Sequence, residues 1–322
     1  MTQNDEDQII LTDVYNEIVE QVRTFLVGNQ LTLDLLMVAL LSRGHVLIEG
    51  IPGTAKTTIV KSIAHLSDCE FKRIQCAVDI QPADILGVRI YDQEIQQFDL
   101  KKGPIFTNFL LIDELNRLTP RAQSAFIEAM SERQVTIDGE THALNEPFFA
   151  VATHNPSEFE GTFPLIEAEK DRFMFSIPIG YLDADEELEL IHRESTGSLD
   201  WDTYSRQIRP VLNPAVIQRL QNSMTHVRVE EPMLRYIRDI VMATRSHGDL
   251  RTGASSRASI YLIRGSRAYA ALQGRDYVIP DDVKMIAPFV LQHRIVLDRV
   301  AEIGGITPIS VIEQILSSIE VL

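Results

Sequence analysis

Cysteine is nearly absent from this chain of 322 residues: Cys69 and Cys76 are the only two, and they form no CxxC pair. Both thiols read as small buried hydrophobes in a reducing compartment. Long hydrophobic runs are missing as well. No apolar stretch approaches the roughly 18–20 residues of a membrane span, and no charged-then-apolar leader opens the chain. A cytoplasmic location is the expectation. Positive charge is scarce: 30 Lys and Arg stand against 46 Asp and Glu, a net charge of −16. That field repels phosphodiester backbones and anionic membranes, so broad nucleic-acid binding is not expected. Internal repeats and low-complexity segments are absent. So are HExxH, paired Cys/His ligands, the serine-hydrolase elbow GxSxG and the guanine-reading Asn-Lys-x-Asp. His154 has no partner at metal-ligand spacing.

What is present centres on Gly50-Ile51-Pro52-Gly53-Thr54-Ala55-Lys56-Thr57, followed by Thr58. The apolar run His45–Glu49 enters this loop as a buried strand, and Thr57 to Leu66 follows with helical spacing of Ile59, Val60 and Ile63. Strand, glycine-bearing loop, Lys-Thr and helix make a P-loop. Gly50 and Gly53 let consecutive N–H groups converge on an anion, and the helix N-terminus adds partial positive charge. Lys56 would reach the β- and γ-phosphates and the Thr57 hydroxyl would hold Mg²⁺. Ala55 stands where a last glycine is usual; placed at the helix start, it is expected to have a negative φ and to favour the helix. The alternative is an ordinary Gly/Pro turn.

A second apolar run, Phe109–Ile112, ends in Asp113 and Glu114. Asp113 would orient Mg²⁺ or its water ligands, and Glu114 would polarise the attacking water as general base. The alternative is a solvated strand end. Phe148–Ala152 is a further buried strand leading to Asn155, whose amide could donate to phosphate and accept from water; a turn asparagine before Pro156 is the plainer reading. Phe71–Gln75 and Phe173–Ile177 complete five strands. Hairpins are expected near 88–100 and at 134–144. Ile10–Phe25 and Leu31–Leu41 read as helices, and Thr119-Pro120 caps another that runs to about Ser131.

From Pro178–Asp183 onward the pattern is helical: Asp185–Arg193, Pro214–Met224, Pro232–Arg245, Ser256–Leu272 and Pro280–His293. We therefore expect an α/β nucleotide-binding domain over 1–182, with a mostly parallel five-stranded sheet, and a smaller helical domain over 183–322. Arg257 lies in the first turn of its helix, where a cation is disfavoured unless an outside anion is near. The nucleotide is the candidate, against a solvated surface arginine. Arg264, two turns on, is a weaker candidate.

These segments, in this order, resemble the MoxR-type AAA+ ATPases: GxPGxAKT, Leu-Leu-Ile-Asp-Glu-Leu-Asn-Arg at 110–117, Ala-Thr-His-Asn-Pro, Asp171-Arg172-Phe173 and Gly-Ala-Ser-Ser-Arg at 253–257. The resemblance spans nearly the whole chain. It implies an αβα sandwich plus a helical lid, with ATP and Mg²⁺ bound by Gly50, Pro52, Gly53, Thr54, Ala55, Lys56, Thr57, Thr58 and Asp113. It also implies Glu114 as base, Asn155 as sensor 1, Arg257 as sensor 2 and Arg172 as the arginine finger reaching a neighbour's ATP. Further implications are a hexameric ring and chaperone-like remodelling of a client, with a von Willebrand factor A domain protein or a maturing metalloenzyme as partner. Ser256, where the family often has proline, and Ile166–Glu169, a loose match, depart from the pattern. A nucleotide-gated switch without turnover, or a DNA-directed AAA+ machine, are the other readings.

Overall fold

The computed structural model describes residues 3–50, 53–94, 96–155 and 161–320. Helices α1 (Gln3–Arg23) and α2 (Gln30–Leu41) precede strand β1 (Val46–Gly50), and α3 (Lys56–Leu66) follows it. Then come β2 (Phe71–Gln75), β3 (Phe109–Asp113), helix α4 (Pro120–Glu132), β4 (Phe149–His154) and β5 (Phe175–Ile179). The five strands form one parallel sheet in the order β2-β3-β4-β1-β5.

Side-chain alternation along the strands builds two separate cores. Val46, Ile48, Phe109, Leu111, Phe149 and Val151 face α1–α3 and the C-terminal helices. Leu47, Leu110, Ile112, Ala150 and Ala152 face α4 and the hairpin at 134–143. A strand buried on both faces is apolar along its length, which is why β1, β3 and β4 lack polar residues until their C-terminal one or two positions. Strand β5 begins two residues later than the apolar run suggests. Phe173 N–H still closes a helical turn on the carbonyl of Lys170 (3.1 Å), so strand pairing starts beyond it.

Two antiparallel hairpins leave this body, Gly87–Asp92 with Gln97–Lys102 and Gln134–Ile137 with Glu140–Ala143. After β5 the longer helices are α5 (Ala184–Ser195), α6 (Pro214–Ser223), α7 (Glu231–Ser246), α8 (Ser256–Leu272), α9 (Pro280–Leu291) and α10 (Pro308–Ser318). The last of these, and the short helix Trp201–Gln207, were not legible from spacing. A small ladder, Leu250–Thr252 with Val296–Leu297, ties α7 to the segment after α9. The first core runs without interruption from α1 and α2 into α6–α10, so the two parts share one hydrophobic contact.

His45 stitches the sheet to α4. Its Nδ1 accepts from the Ala150 N–H (3.1 Å) and its Nε2 donates to the Met130 carbonyl (3.2 Å). Full burial, reinforced by Arg133, pushes the imidazole pKa down to about 3, so it is held neutral.

Candidate active site

Because β1, β3 and β4 are parallel and adjacent, their C-terminal ends open on the same side. Register places Glu49 beside His154, Ile112 beside Ala152 and Gln75 beside Asp113. The result is a cavity of about 390 Å³ lined by Gly50, Gly53, Thr54, Ala55, Lys56, Thr57, Thr58, Asp113, Glu114 and Asn155. Crevices outside the carboxyl ends of a parallel sheet are the usual ligand position in this architecture. Pro52 lies outside the described residues.

The two loop glycines are needed for different reasons. A Cβ on Gly50 would lie 2.4 Å from the carbonyl oxygen of Ile179, so β5 forbids a side chain there. Gly53 has open space around it and φ of +86°, a left-handed conformation suited to glycine. Ala55 departs from the sequence expectation: its φ is +55°, not negative. The loop must turn left-handed to start α3, which is why glycine is usual there, and alanine holds that turn against its own Cβ.

The first turn of α3 has no side-chain cap and no acidic residue, leaving its amides directed at the cavity. Lys56 is buried, and its Nζ donates to the Gly50 carbonyl at 2.6 Å. Burial lowers its pKa, opposed by Asp113 and Glu114.

Asp113 and Glu114 are held by a residue that sequence reading passed over. The Thr153 hydroxyl donates to Asp113 Oδ1 (2.7 Å) and accepts from the Glu114 N–H (2.9 Å). Glu114 itself sits at φ +60°, a strained left-handed position of the kind that clusters at functional sites. Its Oε2 accepts from Gln75 Nε2 (3.1 Å) and is ion-paired with Arg117 Nε (2.9 Å). Arg73, also missed, clamps Asp113 Oδ2 with Nε at 3.0 Å and a terminal nitrogen at 2.6 Å. The signal for both Arg73 and Gln75 was available: they are alternate residues of a strand that ends level with Asp113. Asn155 is buried and lines the cavity.

Arg172 and Arg257 do not line this cavity. They lie at the opposite end of the sheet, before β5 begins. Five residues of β5 at about 3.3 Å each separate that end from the loop, roughly 16 Å. Arg257 pairs with Asp171 Oδ2 at 3.2 Å, and Ser255, the N-cap of α8, donates to the same carboxylate. The anion near this helix start is therefore Asp171 of the same chain. Arg294, whose side chain is 1 % exposed, binds Asp171 Oδ1 (2.9 Å), the Asp171 carbonyl (2.8 Å) and the Phe173 carbonyl. Burial draws its pKa down to about 10 against the pull of Asp171. Together these bonds fix the backbone on both sides of Arg172, whose carbonyl also accepts from Tyr261 Oη (3.0 Å).

A second cavity of about 370 Å³ shares Gly53, Thr54, Ala55 and Thr58 with the first and continues toward Phe25, Val27, Tyr181 and Leu190. Asn29 and Glu187 supply polar groups in an otherwise largely apolar lining. Sequence reading gave residues 27–29 only as a break between helices.

Comparison with known proteins agrees with this geometry. Residues 45–175 match the ATPase family associated with various cellular activities (AAA), and residues 242–315 match the AAA lid domain. The Mycobacterium tuberculosis protein Chaperone MoxR1 is 40% identical over 308 residues, 93% of this chain and 80% of that one. The chain belongs to the MoxR-type AAA+ ATPases. A Bacillus subtilis protein of this size, uncharacterised YeaC, is 41% identical over 304 residues, 94% of this chain and 93% of its own length. A crystal structure from Cytophaga hutchinsonii, designated a candidate ATPase, superposes with TM-score 0.91 at 38% identity, covering 98% of this chain and 97% of that one. The AAA match of this MoxR-type chain, residues 45–175, spans the P-loop, Asp113, Glu114 and Asn155 that line the first cavity.

The donor set also suits a magnesium ion that arrives with nucleotide. Among the described residues no group of three or more His, Cys, Asp or Glu is arranged to hold a metal alone. Thr57 and Asp113 supply one hydroxyl and one carboxylate in the same cavity, the sparse protein share that Mg²⁺ accepts when phosphates and water complete its shell. Arg73 on Asp113 is at present the cation balancing that carboxylate. Among the described residues, no helix is long and apolar enough to cross a membrane.

Proposed function

We propose that this chain hydrolyses ATP with Mg²⁺ in a ring of identical copies, hexameric by family resemblance, and uses the cycle for chaperone-like remodelling of a partner protein. One observation carries the reading: the P-loop, Asp113, Glu114 and Asn155 meet at one end of the sheet, while Arg172 and Arg257 sit at the other. If either arginine takes part in hydrolysis, at that distance it can do so only on a neighbour's nucleotide.

In this reading the amides of α3 and Lys56 bind the triphosphate, and the apolar cavity beside Tyr181 takes the base. Mg²⁺, held by Thr57 and Asp113 with phosphate oxygens, would neutralise charge on the phosphates. Thr153 holds Asp113 and the Glu114 backbone in register. Glu114 accepts the proton of the attacking water, Asn155 orients that water, and Arg172 of the next copy stabilises the charge that develops. Arg257, bound to Asp171, would act from the same face as Arg172. Nucleotide turnover would shift the helical part, residues 183–322, against residues 1–182, and a client or a von Willebrand factor A domain partner would receive that motion.

The test is complementation between inactive variants. Lys56→Ala should lose ATP affinity, Glu114→Gln should bind ATP without turnover, and Arg172→Ala should be slow because an arginine finger contributes roughly 10³–10⁵ in rate. Mixing Lys56→Ala with Arg172→Ala subunits places intact loops against intact fingers at some interfaces. Phosphate release should recover there; no recovery across the assembly range refutes a finger acting between copies. Negligible turnover in the wild type at all concentrations would favour a nucleotide-gated switch instead.

A further inference from the structure

On the side of the sheet away from the P-loop, a cavity of about 920 Å³ separates the αβ part from the helical part. Arg43 after α2 and Arg133 after α4 line one wall, and Arg264 and Arg267 of α8 line the other. In a chain of net charge −16 this reverses the local field. Among the described residues Glu132 is the one acid in the lining, and Glu146 is the acid facing Arg133.

The guanidinium groups are held together without an acid for each. Arg43 donates to Asn222 Oδ1 (2.6 Å), and Arg133 donates to the Arg43 carbonyl (3.0 Å), so both spend donors on neutral partners. Among the described residues the Arg264 side chain makes no hydrogen bond or ion pair, while its carbonyl accepts from Ser42. Arg267 Nε is buried with no partner. Burial first, then Arg43 and Arg264, lower the pKa of Arg133, and burial lowers that of Arg267. Like charges facing each other across a partly desolvated gap are unfavourable unless something negative enters. Guanidinium forks match phosphate oxygens two at a time, so a compact anion with several charges can engage both walls.

We propose that this arginine-lined cavity is a second binding site, for a multiply charged phosphate, and that its ligand clamps the αβ part to the helical part. The site stands apart from the catalytic reading, because none of its residues lines the P-loop cavity. The phosphate could come from a free polyphosphate or nucleotide, or from nucleotide carried by an adjacent copy.

The probe is sodium tripolyphosphate on full-length Lys56→Ala protein, in which the P-loop site is disabled, measured by calorimetry and thermal melting at low salt on the monomer. We expect one anion per chain, a raised melting temperature, and about tenfold weaker binding for each guanidinium removed in Arg264→Ala and Arg133→Ala. Arg264→Ala without ligand should melt no lower than its parent, since that side chain has no partner to lose; this separates ligand binding from misfolding. Binding by the monomer identifies a free anion. An Arg264-dependent stabilisation seen only when ATP-loaded wild-type copies are mixed in and assembly follows identifies the neighbour's nucleotide. No effect in either arm, or binding unchanged by Arg264→Ala and Arg133→Ala, overturns the proposal. Failure of the Lys56/Arg172 complementation would leave the monomer arm untouched, so the free-anion site and the ring reading fail separately.

Discussion

Thr153→Val isolates the contribution of one hydroxyl that joins two strand ends. Valine has nearly the same shape, so packing in a site only 2 % exposed is preserved. Two bonds are lost: the donation to Asp113 Oδ1 at 2.7 Å and the acceptance from the Glu114 N–H at 2.9 Å. A hydrogen bond to a charged group is worth about 1.5–3 kcal/mol, and leaving a backbone N–H unsatisfied costs about 1–3 kcal/mol. The first loss frees the Asp113 carboxylate to rotate toward Arg73. The second loosens the φ +60° backbone that aims Glu114. If half of that energy is expressed in the reaction, turnover should fall roughly 10–100-fold, at about 1.4 kcal/mol per factor of ten. ATP affinity should change only severalfold, because Lys56 and the α3 amides are untouched. Phosphate release at saturating ATP and Mg²⁺, with calorimetry for affinity, reads the two separately. Turnover within twofold of wild type would refute the positioning argument, as would an affinity loss as large as the turnover loss.

Acid should weaken the fold through His45. Its pKa of about 3 lies below the unfolded value near 6.5, so the unfolded chain takes up the extra proton and stability falls as pH drops below 6.5. The slope from this group is about 1.4 kcal/mol per pH unit, or roughly 2 kcal/mol by pH 5. Denaturant midpoints at pH 7 and pH 5 should converge in His45→Gln; an identical pH dependence would exclude His45 as the cause, leaving His154 and His293, whose pKa burial also lowers. Ala55→Gly should stabilise the protein by about 0.5–1 kcal/mol, since the left-handed penalty of about 1–2 kcal/mol exceeds the entropy glycine adds to the unfolded chain. A loss of stability on urea unfolding would contradict that balance.

Much of the sheet was legible because strands buried on both faces leave uninterrupted apolar runs, and the polar residues after the runs of β1, β3 and β4 mark the edge that opens on the cavity. Asp113, Glu114 and Asn155 were found that way. Thr153 was not, because a threonine near the end of an apolar strand carries no local sign of its role. The expectation for Ala55 failed because helix propensity argued for a negative φ where the loop's path imposed a positive one. The expectation of an outside anion for Arg257 met Asp171, 86 residues earlier in the chain, and no local pattern tells which carboxylate will arrive.

Local chemistry along the chain decided which segments become strands and helices, where glycine interrupts them, and which residue types end them. Tertiary structure decided what those ends meet. Parallel pairing gathered the ends of β1, β3 and β4 into one cavity, and the length of β5 kept Arg172 and Arg257 out of it. Docking of α8 across the ends of α2 and α4 brought four arginines from distant positions around a single gap. Hydrophobic period acts between near neighbours and is written residue by residue, whereas electrostatic contacts between segments far apart in sequence exist only after the cores have closed.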